Sequence, residues 1–130
     1  MSQKMMIMIH KTPHGTIAVH EAVEVMFIMA AYEMGLSVVF TDDAVLSLLK
    51  SQDTTDIGIK GFVNSLKALI DWDVTQVYVD SNALEQRNVL SDQLISIGND
   101  EETDEPVYAS AINRKEIRQM MSEQNHILSF

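Results

Sequence analysis

Hydrophobic residues near the start of the chain form one short run and one long run, with a polar turn between them. Residues 5–9 are all apolar, residues 11–16 have the sequence Lys-Thr-Pro-His-Gly-Thr, and a mostly apolar segment extends from residue 17 to residue 34. Two such runs separated by turn residues are typical of a buried strand followed by a helix. The pattern predicts the opening strand–loop–helix unit of an α/β domain.

The predicted first helix is more apolar than a helix that only covers one face of a sheet. Polar side chains are confined to one face of its first turns, and residues 25–31 are apolar without interruption. A helix that is hydrophobic on every side is buried on every side, so we expect its outer face to contact another subunit. Packing of this face under a local loop is the alternative. A membrane span is not expected, because it would need roughly 20 apolar residues. The expected contact residues are Val25, Phe27, Ile28 and Ala31.

Strand and helix signals alternate along the rest of the chain. Apolar runs predict strands at residues 36–40, 76–80, 94–97 and 126–130, and residues 107–112 are expected to be extended. Spacing and capping residues predict helices at 42–50, 60–70, 81–88 and 114–123. The predicted N-caps are Thr41 or Asp42, Ser81 and Asn113. Together with the strand at 5–9, this order predicts a single domain over residues 1–130, with a largely parallel five-stranded sheet and helices on both faces.

The charge balance limits the partners of the chain. It has 130 residues, of which 46% are hydrophobic, and a net charge of −10, so it is an acidic globular protein. Its nine Lys and Arg residues are scattered, whereas phosphate backbones require clustered basic side chains, and we expect no direct binding of nucleic acid. The acidic run at residues 99–105 predicts a solvated surface loop.

The chain contains no cysteine, which excludes disulfides, thiolate chemistry and cysteine-based zinc sites. The spacing of His10, His14 and His20 matches no compact metal-ligand motif, so we expect no metal and no other cofactor. The first residues lack the pattern of a secretory signal peptide, which predicts a cytoplasmic protein without membrane attachment.

Polar side chains that follow the predicted strands are the candidates for a binding site. The carboxyl ends of parallel strands meet at one edge of a sheet, where ligands bind in open α/β folds. The turn after the first strand matches no dinucleotide or P-loop motif, although a helix N-terminus there can still receive an anion. The predicted pocket consists of His10, Thr12, His14, Gly15, Asp42, Asp43, Asp80 and Ser81.

Eight short motifs follow one another along the chain in a specific order. They are Lys-Thr-Pro-His-Gly-Thr at 11–16, Glu-Ala at 21–22, Val-Phe-Thr-Asp-Asp at 39–43, Gln-Asp-Thr at 52–54, Ile-Gly-Ile-Lys-Gly-Phe at 57–62, Tyr-Val-Asp at 78–80, Leu-Glu-Gln-Arg at 84–87 and Ile-Leu-Ser-Phe at 127–130. Together they resemble the DsrE/DsrF/DsrH superfamily and, within it, the DsrF/TusC branch. The motifs at 52–54 and 57–62 are similar to the DsrF form in particular.

This resemblance implies a three-layer α/β/α fold of the flavodoxin-like kind. It also implies a cytoplasmic heterohexamer with two copies each of DsrE/TusD-like, DsrF/TusC-like and DsrH/TusB-like chains. Such complexes pass persulfide sulfur between proteins, in sulfur oxidation or in the formation of tRNA 2-thiouridine. The sulfur is carried on a cysteine, chiefly that of the DsrE-like partner, and in cysteine-bearing relatives one such residue falls close to the place of Asp80. A persulfide requires a thiol, so the expected role is that of a non-catalytic subunit.

Three hypotheses about function stay open at this point. The resemblance and the lack of cysteine favour a subunit of a sulfur-relay complex, in sulfur oxidation rather than tRNA thiolation, with possible self-association in isolation. A flavodoxin-like module that binds a small molecule or an anion would use the turn at 12–16 together with the aspartates at the strand ends. A hydrolase or transferase would act through His14 and an aspartate.

Overall fold

The computed structural model describes residues 4–11, 18–31, 35–49, 66–72 and 74–130. In chain order the elements are β1 (Lys4–Ile9), α1 (Ala18–Ala31), β2 (Gly35–Phe40), a 3-10 helix (Asp42–Leu48), a 3-10 turn (Ile70–Trp72), β3 (Val77–Asp80), α2 (Ser81–Gln86), a 3-10 turn (Ser91–Gln93), β4 (Gly98–Asn99), β5 (Pro106–Val107), β6 (Ser110–Ile112), α3 (Arg114–Ser122) and β7 (His126–Ser129).

Five strands form the main sheet in the order β6-β3-β2-β1-β7, and every neighbouring pair is parallel. β1 pairs with two strands, so that Ile7 lies opposite Val38 of β2 on one side and Leu128 of β7 on the other. Parallel strands need a crossover connection between them, which is usually a helix. The alternation of strand and helix signals in the sequence predicted this arrangement. The predicted parallel five-stranded sheet is therefore confirmed.

The two faces of the sheet are covered by different helices, because successive side chains of a strand point to opposite sides. On one face, Ile7 and Phe40 belong to the larger core, to which α1, the 3-10 helix Asp42–Leu48 and α2 contribute. On the other face, Met6 and Val39 pack against Ile117 of α3. Burying each large apolar side chain contributes roughly 1.5–3 kcal/mol. The molecule has the predicted three layers.

The prediction of a strand at residues 94–97 is wrong. Leu94 makes one isolated bridge to Leu49, the Ile95 N–H donates to the Leu48 carbonyl, and the Ile97 N–H donates to the Val107 carbonyl. The partner residues lie at the end of the 3-10 helix Asp42–Leu48 and in β5, so none of these bonds joins the segment to the main sheet. Residues 94, 95 and 97 are buried, so the apolar run reports burial but not strand pairing. The remaining strand of the main sheet is β6.

The predicted helices differ from the observed ones mainly at their ends. The segment after β2 forms a 3-10 helix instead of an α-helix, and α2 and α3 end at Gln86 and Ser122. Most of the helix predicted at 60–70 lies outside the described residues. Among the described residues, no helix combines the length and apolar character needed to cross a bilayer.

Candidate binding site at the carboxyl ends of the strands

Asp80 is the most deeply buried charged residue at the carboxyl edge of the sheet. It is the last residue of β3 and has 0% relative exposure. Its Oδ1 accepts the backbone N–H of Asn82 at 2.9 Å and that of Ala83 at 3.2 Å, which makes Asp80 the N-cap of α2. The sequence placed this cap one residue later, at Ser81. A buried carboxylate requires such donors, because an unpaired charge away from water is strongly unfavourable.

The second carboxylate oxygen of Asp80 connects β3 to two further elements. Its Oδ2 accepts the Thr41 hydroxyl at 2.6 Å, and the Arg114 Nε donates to it at 3.4 Å. Thr41 directly follows β2, and Arg114 is the first residue of α3. Because β6 runs parallel to β3, α3 begins at the same edge of the sheet as α2, and the Arg114 N–H donates to the Asn82 side-chain oxygen at 3.2 Å.

A cavity of about 280 Å³ lies beside this cluster. Its carboxylates, Asp42 and Asp80, face the guanidinium of Arg114, which is 3.7 Å from the Asp42 Oδ1. Arg118 also lines the cavity, and no carboxylate of the described part of the chain lies within 4.0 Å of it. The described lining residues are Met8, Thr41, Asp42, Asp80, Arg114, Ile117 and Arg118.

The cavity presents charged groups and one hydroxyl group that can bind a polar ligand. The hydroxyl group, that of Thr41, donates to Asp80, whose carboxylate also accepts the backbone N–H groups of Asn82 and Ala83 and the Nε of Arg114. Within the described ranges, no group of three or more His, Asp or Glu could hold a metal ion. Two guanidinium groups and two carboxylates give the lining a balanced charge.

The structure brings together only part of the predicted pocket. Asp42 and Asp80 line the cavity, whereas Asp43 turns to Arg87, whose Nη2 lies 2.8 Å from the Asp43 Oδ1. Ser81 begins α2 and is half-buried. His10 is exposed at the end of β1, where its backbone N–H donates to the Phe130 carbonyl at 2.9 Å. The remaining predicted residues, Thr12, His14 and Gly15, lie outside the described residues.

Sequence reasoning missed the residues that α3 contributes, namely Arg114, Ile117 and Arg118. Their positions depend on β6, which carries α3 to the carboxyl edge of the sheet beside β3. The sequence did contain a signal, because Asn113 was correctly predicted as the cap of this helix. However, the sequence analysis assigned the fourth strand to residues 94–97 instead of to β6. It therefore gave no reason to place the start of α3 beside Asp80.

The surface of α1 predicted to contact another subunit is partly open. Ile28 is 53% exposed and Ala31 is exposed, whereas Val25 and Phe27 are half-buried against the larger core. The buried side of the helix is formed by Ala22, Val23 and Met26. An apolar side chain such as Ile28 therefore lies in water on the outer side of α1 when the chain is alone.

Comparison with known proteins places the fold and the motifs in one family. A model of the DsrE/DsrF-like family matches residues 3–130. The chain belongs to this family. The resemblance found in the sequence motifs is thereby confirmed.

Two relatives within this family cover most of the chain. The intracellular sulfur oxidation protein DsrF of Allochromatium vinosum is 37% identical over 131 residues, which cover 98% of this chain and 96% of that protein. A TusC homolog of Vibrio parahaemolyticus is 28% identical over 118 residues, 91% of each chain. The crystal structure of the YchN protein of E. coli superimposes with a TM-score of 0.77, covering 98% of this chain and 99% of that one at 18% identity, and shows the same fold.

Proposed function

We propose that this DsrE/DsrF-like protein is a non-catalytic subunit of a cytoplasmic complex that relays persulfide sulfur between proteins. Its partners are a DsrE/TusD-like chain and a DsrH/TusB-like chain, with two copies of each of the three chains. One observation carries the proposal: a chain without any cysteine is 37% identical, over nearly its whole length, to a sulfur oxidation protein. A thiol is required to carry sulfane sulfur, so a neighbour must supply it.

The surroundings of Asp80 support a structural role for this chain. Cysteine-bearing relatives are expected to place a sulfur carrier close to this position, where the present chain has a carboxylate with 0% exposure. Both of its oxygens accept hydrogen bonds, and these bonds join the ends of β2 and β3 to α2 and α3. A carboxylate held in this way stabilises the edge of the sheet, and it offers no sulfur atom for transfer.

The exposed side of α1 supports the proposed association with other subunits. Ile28 and Ala31 are exposed, and Val25 and Phe27 flank them. Obligate interfaces resemble a protein core cut in half, so an exposed isoleucine in the middle of an apolar helix is suited to such a contact. We assign these four residues to the contact with a partner chain.

Sulfur oxidation is the pathway that we propose, ahead of tRNA thiolation. The identity of 37% to DsrF over 131 residues exceeds the 28% to the TusC homolog over 118 residues. The DsrF-like motifs at residues 52–54 and 57–62 support the same choice. Deleting the gene should therefore impair the oxidation of stored sulfur and leave the 2-thiouridine content of tRNA unchanged.

Binding of a small anion is the second candidate function, and Arg118 favours it. This guanidinium lines the cavity at the strand ends without a carboxylate partner in the described part of the chain. The carboxylates of Asp42 and Asp80 line the same cavity, and their negative charge weakens the binding of an anion there. A rise of the melting temperature in millimolar thiosulfate or phosphate, lost in Arg118→Gln, would support this function.

Reconstitution tests the relay proposal directly. The chain is mixed with the DsrE-like and DsrH-like proteins of the same organism, and native mass spectrometry should detect a complex with two copies of each. A DsrE-like protein loaded with radiolabelled persulfide should transfer its label to an acceptor at a different rate when this chain is left out, while the chain itself stays unlabelled. A chain that remains alone in every mixture would contradict the proposal.

A further inference from the structure

An apolar cleft lies at the β6 edge of the sheet, away from the carboxyl-edge cavity. One of its halves has a volume of about 420 Å³ and is lined by Leu84, Ser91, Asp92, Leu94, Tyr108, Ala109 and Ala111. The other half, of about 460 Å³, is lined by Lys67, Ile95, Ser96, Gly98, Asn99, Pro106 and Tyr108. Tyr108 lines both halves, and we call the whole the Tyr108 cleft. Each half lies in the range of about 300–1,000 Å³ that is usual for binding sites.

Two of the most exposed large hydrophobic side chains belong to this region. Tyr108 is 48% exposed between the two halves, and Leu90, which precedes the lining residue Ser91, is 66% exposed. Exposed aromatic and apolar side chains beside a cleft are common anchors of protein interfaces, because they bury much area with few rotatable bonds. By contrast, none of the described residues that line the carboxyl-edge cavity is a large exposed hydrophobic side chain.

The backbone next to the cleft is an edge of the main sheet. β6 pairs with β3 on one side, and no strand of the described ranges pairs with it on the other. An edge strand presents unpaired N–H and C=O groups to which an extended segment of another chain can add. The edge therefore supplies hydrogen bonds, and the cleft supplies a pocket for the side chains of the same segment.

The charge of this region determines the kind of segment that fits it. Residues 88–113 contain six acidic residues and no basic residue. Asp92 lines the cleft, and the exposed loop from Asp100 to Glu105 follows Asn99 at its other end. Lys67 is the basic residue of the lining, and it leaves the negative charge in large excess. A second copy of this chain, with its net charge of −10, is repelled here, whereas a basic segment is attracted.

We propose that the Tyr108 cleft docks an extended basic segment of a partner subunit, with one apolar side chain inserted beside Tyr108 and its basic residues facing Asp92 and the acidic loop. The proposal rests on the proposed function, since the partner is a subunit of the relay complex. It adds a second contact surface to the one on α1. With two such surfaces, the chain could contact two different neighbours in a complex of three kinds of chain.

Affinity measurements on the reconstituted complex test the proposal. The double variant Leu90→Ser with Tyr108→Ser should weaken binding of one partner chain by at least about 30-fold, as the loss of interface anchors does. Asp92→Lys should slow association about tenfold at low salt, and the difference should shrink in 1 M salt, where the screening length is about 3 Å. Glu123→Lys makes the same charge change at the C-cap of α3 and should alter binding less than about threefold.

Each result has a distinct meaning. If the unaltered chain binds neither partner, both the proposed function and this inference are overturned. If the unaltered chain binds but both the double variant and Asp92→Lys bind equally well, the inference alone is overturned. Asp92 is exposed, so its replacement leaves the fold intact even if the double variant proves unstable.

Photo-crosslinking identifies the occupant. With p-benzoylphenylalanine in place of Tyr108, the complex should give a crosslink to a partner segment in which an apolar residue is flanked by Lys or Arg. A crosslink to a second copy of this chain, or to a partner segment without basic residues, overturns the proposal.

Discussion

A single carboxylate, that of Asp80, joins four elements of this molecule. It is the N-cap of α2, it accepts a hydrogen bond from the Thr41 hydroxyl after β2, and it lies 3.4 Å from the Arg114 Nε of α3. The sequence identified Asp80 as a residue at a strand end. Its four donors come from residues as far as 39 positions away, and only the folded chain brings them together.

Replacing Asp80 by Ala should lower the free energy of unfolding by about 2–4 kcal/mol. The change removes a helix cap and leaves buried donors without an acceptor. Asp80→Asn should lower it less, because an amide oxygen still accepts the N–H groups of Asn82 and Ala83. Urea denaturation followed by circular dichroism measures both values.

The exposed ion pair of Asp43 and Arg87 provides the control for this experiment. Asp43 is 58% exposed, so Asp43→Ala should change the stability by at most about 1 kcal/mol. Equal losses for Asp80→Ala and Asp43→Ala would mean that burial of the Asp80 carboxylate contributes nothing beyond a surface charge.

The fold changes the ionisation of the Asp100 carboxyl group. Hydrogen bonds from the backbone N–H groups of Thr103 and Glu102 lower the pKa of its carboxyl group below the ordinary value of 3.8. The charged form therefore favours the folded turn. Its contribution is fully present above pH 3.8 and is lost as the pH falls through the lower folded-state pKa.

An NMR titration should show this directly. The amide shifts of Glu102 and Thr103 should move together with a midpoint below pH 3.8, and Asp100→Asn should abolish that transition. A midpoint at or above this pH would contradict the hydrogen-bonded turn. The acidic loop that the sequence predicted is thus exposed, but it has a defined hydrogen-bonded turn at its start.

Among the elements, the antiparallel pairing of β4 and β5 was not indicated by the sequence. Each of its strands has two residues, which are too few to show the alternation of apolar and polar side chains. Gly98 in β4 has a φ of +140°, a backbone conformation that favours glycine. By contrast, the side chains of Asn113 and Glu116 form the capping box of α3. Capping is a local interaction, which explains why sequence reasoning found the start of α3 and missed the pairing of β4.

Gly98→Ala should destabilise the protein by about 2–4 kcal/mol. A Cβ at this position would lie 2.5 Å from the Ile70 Cβ, and the backbone there is unfavourable for an L side chain. Thermal unfolding monitored by calorimetry measures the loss. The clashing atom is the Ile70 Cβ, which alanine keeps, so combining Gly98→Ala with Ile70→Ala should recover little of the loss. A stability of Gly98→Ala equal to that of the unaltered protein would contradict the close packing of β4 on this turn.

At the scale of the whole molecule, the chain presents two apolar surfaces far apart in the topology. One is the outer side of α1 around Ile28, and the other is the Tyr108 cleft beside β6 at one edge of the sheet. The hydrophobicity of α1 predicted the first surface from the sequence. Nothing in the sequence predicted the second, because its walls come from residues between 67 and 111 that only the fold assembles.

Ile28→Glu should weaken assembly with partner chains by at least about tenfold, because a carboxylate buried in a dry contact loses its hydration. Ile28 is 53% exposed, so the fold of the separate chain should be preserved. Ile28→Leu keeps an apolar side chain and is the matched control. Native mass spectrometry that finds intact complexes for Ile28→Glu at the concentrations used for Ile28→Leu would remove α1 from the interface.

Local and periodic features were determined by the sequence alone. Apolar runs predicted β1, β2, β3 and β7, the pattern after Gly15 predicted α1, and Asn113 predicted the start of α3, because burial and capping act over a few neighbouring residues. The absence of cysteine excluded a sulfur carrier without any reference to structure. Tertiary structure decided which strand completes the sheet, which basic side chain contacts Asp80 and which side chains surround Tyr108. Each of these depends on contacts between distant residues, whose partners are selected by the packing of the whole chain.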